Sequence, residues 1–103
     1  MIKEYNGEVI DDGFILLFFY ASYSSNCNTS LANLDYLAHS FTDMDIIKIN
    51  ITKYINLKTK YKIKVIPTYL LLNKNNIISK CEGAQNRIAL TGWVNQYYFL
   101  LKK

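Results

Sequence analysis

Phe14-Ile15-Leu16-Leu17-Phe18-Phe19-Tyr20-Ala21-Ser22-Tyr23-Ser24-Ser25-Asn26-Cys27 is the stretch on which the fold turns. Its first seven residues are apolar without a break, aromatic-rich, and bounded by Gly13 and a serine cluster. A run that does not alternate has both faces covered, so it reads as a central strand. Beyond Cys27 the pattern changes. Leu31, Leu34, Leu37, Ala38 and Phe41 form a stripe at helical spacing. The stretch is therefore strand, tight turn and helix, with the helix expected over residues 25–41. Ser24 or Ser25 falls where an N-cap hydroxyl would meet the first unpaired N–H groups.

Outward from this centre the chain alternates. Residues 1–5 read as a short edge strand, and Asn6-Gly7 as a turn. Residues 45–50 alternate poorly but are β-branched and apolar, and read as a further strand. A short helix is expected over 56–61, capped by Asn56. Val65-Ile66-Pro67-Thr68 introduces a strand over 68–72. Residues 73–76 form a turn tolerant of left-handed backbone, and 77–82 return antiparallel. Gly83-Ala84 ends that strand. A last helix over 87–100 places Ile88, Leu90, Trp93, Val94 and Tyr97 inward. Alternation closed by a hairpin gives an α/β fold, a central mixed β-sheet flanked by helices on both faces.

The 103 residues correspond to one domain, 1–103, and half of them are apolar, enough for a core without staples. The net charge of +4 comes almost wholly from lysine. With one arginine and no basic tract interleaved with aromatics, nucleic acid is not an expected partner. The longest apolar run is too short to span a bilayer. No secretory signal is visible, so a cytoplasmic location is expected. Two cysteines and His39, at no ligand-like spacing, predict no metal. His39 reads as a surface helix residue. Cys81, where exposed, offers an intermolecular bridge, but the chain is expected to be a monomer. Lys53, Lys58, Lys60, Lys62 and Lys64 cluster around the short helix. They read as a solvated face, or as a docking patch for an acidic partner.

Three landmarks in order resemble the thioredoxin family over about nine-tenths of the chain. They are Tyr20-Ala21-Ser22-Tyr23 before the turn, Ile66-Pro67-Thr68, and Gly83-Ala84. The resemblance implies a thioredoxin fold with an abbreviated start. It also implies that Pro67 is cis and faces the turn, and that the backbone of Ile66 pairs with an extended substrate segment, a form of strand addition. Tyr23, Ile66, Pro67, Gly83 and Ala84 would then line the substrate groove. The implied partner is a protein or peptide carrying a thiol or disulfide, with a thioredoxin reductase as a possible electron donor and no bound cofactor.

The family's Cys-x-x-Cys appears here as Ser24-Ser25-Asn26-Cys27. Ser24 occupies the attacking position and Cys27 the resolving one. A helix terminus supplies at most about 2 kcal/mol, far too little to turn a hydroxyl into useful alkoxide. Activation would need an adjacent base, and His39 lies well down the helix. A buried Cys27 would be an inert thiol. An exposed one could form a mixed disulfide. The family's buried Asp in the central strand is Phe18 here, while its lysine partner corresponds to Lys48. These departures imply a degenerate site with little or no disulfide reductase activity, whose groove still holds a partner segment. The alternative is a thiol–disulfide oxidoreductase in which Ser24 was introduced in place of a native cysteine.

Overall fold

In the computed structural model, residues 2–8, 10, 13–22 and 27–101 are described, with the backbone alone at Cys27, Asn28 and Leu101. The central run forms strand β2, Phe14–Tyr20, with five consecutive buried residues. Strand β1, Ile2–Glu4, and strand β3, Asp45–Asn50, precede and follow it in the chain. Helix α1, Cys27–Ser40, joins β2 to β3, and helix α2, Ile55–Lys60, follows β3. Strands β4, Thr68–Asn73, and β5, Asn76–Glu82, make a hairpin, and helix α3, Arg87–Leu101, ends the described chain.

The sheet order is β1-β3-β2-β4-β5. β1, β3 and β2 run parallel, while β4 is antiparallel to β2 and β5 to β4. The centrality of β2 follows from its composition, because only a strand covered on both faces can bury an unbroken apolar run. Ile15, Leu17 and Phe19 pack with Leu57 of α2 and with Tyr61 on one face. Leu16 and Phe18 pack with Leu34, Leu37, Leu90 and Val94 of α1 and α3 on the other. Each such side chain contributes about 1.5–3 kcal/mol through burial.

Two local expectations need correction. Ile88 is 86% exposed rather than inward. The inward stripe of α3 is Leu90, Val94 and Tyr98. Ile88 precedes Leu90 by two residues, about 200° round the helix. Asn56 does not cap α2. The helix begins one residue earlier, and its N-cap position is Tyr54, without a side-chain cap bond. Tyr54 is instead fixed by its ring against Tyr5, 4.7 Å and 81° apart, and by its N–H donating to the Asn50 carbonyl at 2.9 Å. The hairpin turn over 73–76 is as expected, with Asn73 paired to Asn76 across it. It has two residues, Lys74 and Asn75, at φ 51° and 70°. Two successive left-handed residues make the turn whose twist matches the flanking strands.

Candidate functional site

The parallel strands β2 and β3 end at one edge of the sheet, and the chain turns there into α1. Tyr20 and Asn50 are the last paired residues in that register. Past them, the Ile51 N–H donates to the Tyr20 carbonyl at 2.9 Å. The Asn50 amide donates to the Ser22 hydroxyl at 2.8 Å, and its oxygen accepts the Thr52 N–H at 2.9 Å. Asn50 therefore ties the segment entering the turn to the start of the next loop. Sequence reading marks Asn50 only as a strand end. An Asn two residues before Thr52, able to fold back on that N–H, is the signal that was available. The expectations for Tyr23, Ser24, Ser25 and Asn26 lie outside the described residues, as does the side chain of Cys27. The backbone of Cys27 opens α1.

At the same end of the sheet, where β4 begins opposite Phe19, the Ile66–Pro67 peptide is cis. Pro67 is buried and Ile66 half-buried. The Pro67 carbonyl accepts the Gly83 N–H at 2.8 Å, joining two of the expected groove positions directly. Gly83 has φ 88°, a backbone that L side chains rarely adopt. Ala84 beside it is exposed. The Thr68 hydroxyl donates to the Val65 carbonyl at 2.7 Å and pins the chain on the other side of the proline. Among the described residues, the N–H and C=O of Ile66 make no hydrogen bond. A half-buried residue with both main-chain groups uncommitted is able to pair with an extended strand.

The loop that carries Gly83 and Ala84 is held from behind. The buried Asn33 of α1 donates to the Gln85 carbonyl at 3.1 Å. The Gln85 side chain donates to the carbonyls of Glu82 and Gly83 at 3.2 and 3.4 Å. The Asn86 oxygen accepts the Ala89 N–H at 2.8 Å and caps α3. Sequence reading missed Asn33, since a polar residue beside Leu34 fits the outer edge of an apolar stripe equally well.

Within β2, near this end of the sheet, the chemistry is apolar. Phe18 is completely buried, and its ring lies 5.8 Å from Tyr20 at 11° and 5.2 Å from Tyr69 at 41°. Lys48 stands opposite Phe18 in the β2–β3 register. Its ammonium reaches Glu4 of β1 at 3.7 Å. The other Glu4 oxygen accepts the Tyr20 hydroxyl at 2.6 Å, a short bond because its acceptor is a charged carboxylate. The carboxylate near this lysine thus comes from the edge strand and is half exposed, whereas position 18 carries hydrocarbon.

Cys81 on β5 is half-buried, opposite Tyr69, and packs against the core on the α1 and α3 side. Burial pushes its thiol pKa up. A thiol so placed is a poor candidate for the intermolecular bridge considered above. His39 is exposed, as expected, with Nδ1 2.8 Å from the Asp35 carbonyl. Among the described residues no group of acidic, histidine or cysteine side chains could hold a metal ion, and no helix is long and apolar enough to cross a membrane.

Comparison with known proteins gives one answer. A family model described as Thioredoxin matches residues 2–96. Thioredoxin-1 of Drosophila melanogaster is 30% identical over 78 residues, 75% of this chain and 73% of that protein. The thioredoxin of Chlamydia pneumoniae is 27% identical over 101 residues, covering 94% of this chain and 99% of its own. The crystal structure of the germline-specific thioredoxin Deadhead of Drosophila melanogaster superposes with a TM-score of 0.76 at 28% identity, over 84% of this chain and 82% of that one. Thioredoxin-2, described as a component of the malaria parasite's protein secretion machinery, shares the fold with a TM-score of 0.77 at 20% identity, over 90% and 91%.

Proposed function

This chain belongs to the thioredoxin family, and from that premise we propose that it is a member whose redox site has degenerated into a binding site. Residues 1–103 act as one domain. Ser24 stands where the attacking cysteine belongs and Cys27 where the resolving one does. Reduction of a disulfide by this route needs two thiols. The first attacks one sulfur and releases the other as a thiolate, and the second attacks the resulting mixed disulfide and frees the partner. With Ser24 in the first position neither step can begin at the helix start. The observation that carries the reading is that serine.

The surroundings agree with it. Phe18 is wholly buried among Tyr20 and Tyr69, so no carboxylate at position 18 is available to move a proton at Cys27. The groove wall, by contrast, is well built. Pro67 and Gly83 are bonded to one another, and among the described residues the main-chain groups of Ile66 make no hydrogen bond. The groove of Tyr23, Ile66, Pro67, Gly83 and Ala84 holds an extended segment of a protein partner by main-chain pairing. The partner class is a protein or peptide of the thiol–disulfide type, as for thioredoxins.

Two measurements test this reading. With a dithiol as reductant, the chain is expected to turn over no protein disulfide above the uncatalysed rate. Sustained turnover would overturn the proposal. Amide shifts on titration with an extended peptide are expected at Ile66, Gly83 and Ala84. Shifts confined to other surfaces would remove the groove from the account.

A further inference from the structure

Charge is sharply segregated along this chain. Residues 46–81 contain eight lysines and not one acidic residue. The fold gathers six of those lysines, Lys53, Lys58, Lys60, Lys62, Lys64 and Lys80, around α2. All six are exposed. Lys80 reaches over from β5, its ammonium 3.4 and 3.3 Å from the carbonyls of Tyr61 and Lys62. Among the described residues none of the six makes an ion pair, and the nearby Glu8 is held by Lys3 at 3.5 Å. Lys53 and Lys60 lie over the rings of Tyr54 and Tyr61, 5.5 and 5.3 Å from their centroids, but like charges gathered without counter-ions repel each other, so they lower stability unless something of opposite sign covers them.

An apolar feature lies within the same surface. Ile55 is 65% exposed. Together with Ile51, Thr52 and Lys58 it lines a depression of about 240 Å³. The depression begins where Ile51 is bonded to Tyr20 and Asn50 to Ser22, so it adjoins the edge of the sheet at which α1 starts.

We propose that the α2 surface, with Ile55 and Lys58 in one depression at its start and five further exposed lysines along and beyond the helix, is a docking site for an acidic segment of a partner protein that also carries an apolar side chain. The charges are lysines throughout, with no arginine fork for phosphate, and the nearby rings are committed. Tyr54 packs on Tyr5, and Tyr61 is buried against Phe19. A nucleic acid would lack both its bidentate contacts and its stacking platform. An aliphatic depression with Lys58 in its wall, on a surface that carries five further lysines, suits carboxylates flanking a leucine or similar residue.

The test uses a fluorescein-labelled, cysteine-free peptide of glutamates around a central leucine, an oligonucleotide of equal charge, and phosphatidylserine vesicles. The peptide is expected to bind tighter than either of the others, and binding is expected to fall steeply with added salt. The combined Lys53→Gln, Lys58→Gln and Lys62→Gln variant is expected to lose about tenfold or more in affinity. Ile55→Ser should weaken binding several-fold while leaving the salt slope unchanged. These are exposed positions, and a matched circular dichroism spectrum checks that each variant is folded. Equal binding by the lysine variant, tighter binding of the oligonucleotide or the vesicles, or no binding of any probe would each overturn the proposal. The peptide has no sulfur and the readout no redox step, so this test and the turnover test fail independently.

Discussion

Phe18 is the described residue that bears most directly on the proposed loss of redox chemistry. It is fully buried, stacked between Tyr20 and Tyr69, and opposite Lys48. Restoring a carboxylate there would set an ionisable group in a hydrocarbon site shaped for a ring. Phe18→Asp is expected to destabilise the fold by at least about 3 kcal/mol in a denaturant titration, through lost packing and an uncompensated polar group. A loss under about 1 kcal/mol would mean that the site tolerates the family's usual residue. Glu4 has the opposite character. Its carboxylate serves both Tyr20 and Lys48 but is half exposed, so Glu4→Gln is expected to cost only about 0.5–1 kcal/mol. Cys81 gives a pH prediction. Burial raises its pKa, so less of it is thiolate at neutral pH than in a free thiol. Its alkylation, followed by mass spectrometry of its own peptide, is expected to be slower than that of glutathione at about pH 7.5 and to keep rising beyond the ordinary thiol range. Faster alkylation than glutathione would contradict the buried environment.

At the scale of elements, α2 shows how a short helix is held by its ends. Ile63 donates to the Lys58 carbonyl at 2.9 Å and Lys62 to that of Thr59 at 3.2 Å. This is the paired C-terminal closure that calls for a left-handed residue, and Lys62 supplies it at φ 54°. Lysine is strained in that conformation and glycine is not. Lys62→Gly is therefore expected to raise stability by about 1 kcal/mol, seen as a higher denaturant midpoint with unchanged slope. A drop would show that the side chain packs in a way the backbone argument omits. The same helix shows where sequence reasoning stopped. Asn56 looked like a cap because Asn favours that position, but the ring of Tyr54 on Tyr5 set the start, and contact between residues so far apart leaves no local mark. Ile88 failed for a related reason. Any helix rich in apolar residues admits several inward stripes, and only the partner surface of Leu34, Leu37 and Phe41 selects Leu90, Val94 and Tyr98. Strands β2, β3, β4 and β5, by contrast, were legible to within a residue or two. Their composition is β-branched or aromatic, and Gly13, Gly83 and the polar Lys74-Asn75 turn mark their ends.

The whole molecule joins a legible fold to a site whose proposed chemistry rests mainly on Ser24. The landmarks at Tyr20-Ala21, Ile66-Pro67 and Gly83-Ala84 lie at the end of β2, before β4 and after β5, and these elements converge on one edge of the sheet. What the sequence could not display is the support behind them. Asn33 on α1 bonds to Gln85, and Asn50 on β3 bonds to Ser22, joining residues 52 and 28 positions apart. The charge balance is also a property of the whole molecule, since the net value of +4 conceals eight lysines without a counter-charge in residues 46–81. On the proposed reading, Ser24, on a scaffold with a buried hydrocarbon ring at position 18, leaves this chain unable to turn over disulfides. The measurement that tests it most directly is the initial rate of reduction of a protein disulfide by a dithiol, for the chain and for Ser24→Cys side by side. The account predicts no catalysis by the chain as it stands. It predicts a measurable but slow rate for Ser24→Cys, about 10²–10⁴-fold below that of a thioredoxin with its acid–base carboxylate in place. Catalysis by the serine form at a rate comparable to the cysteine form would contradict the claim.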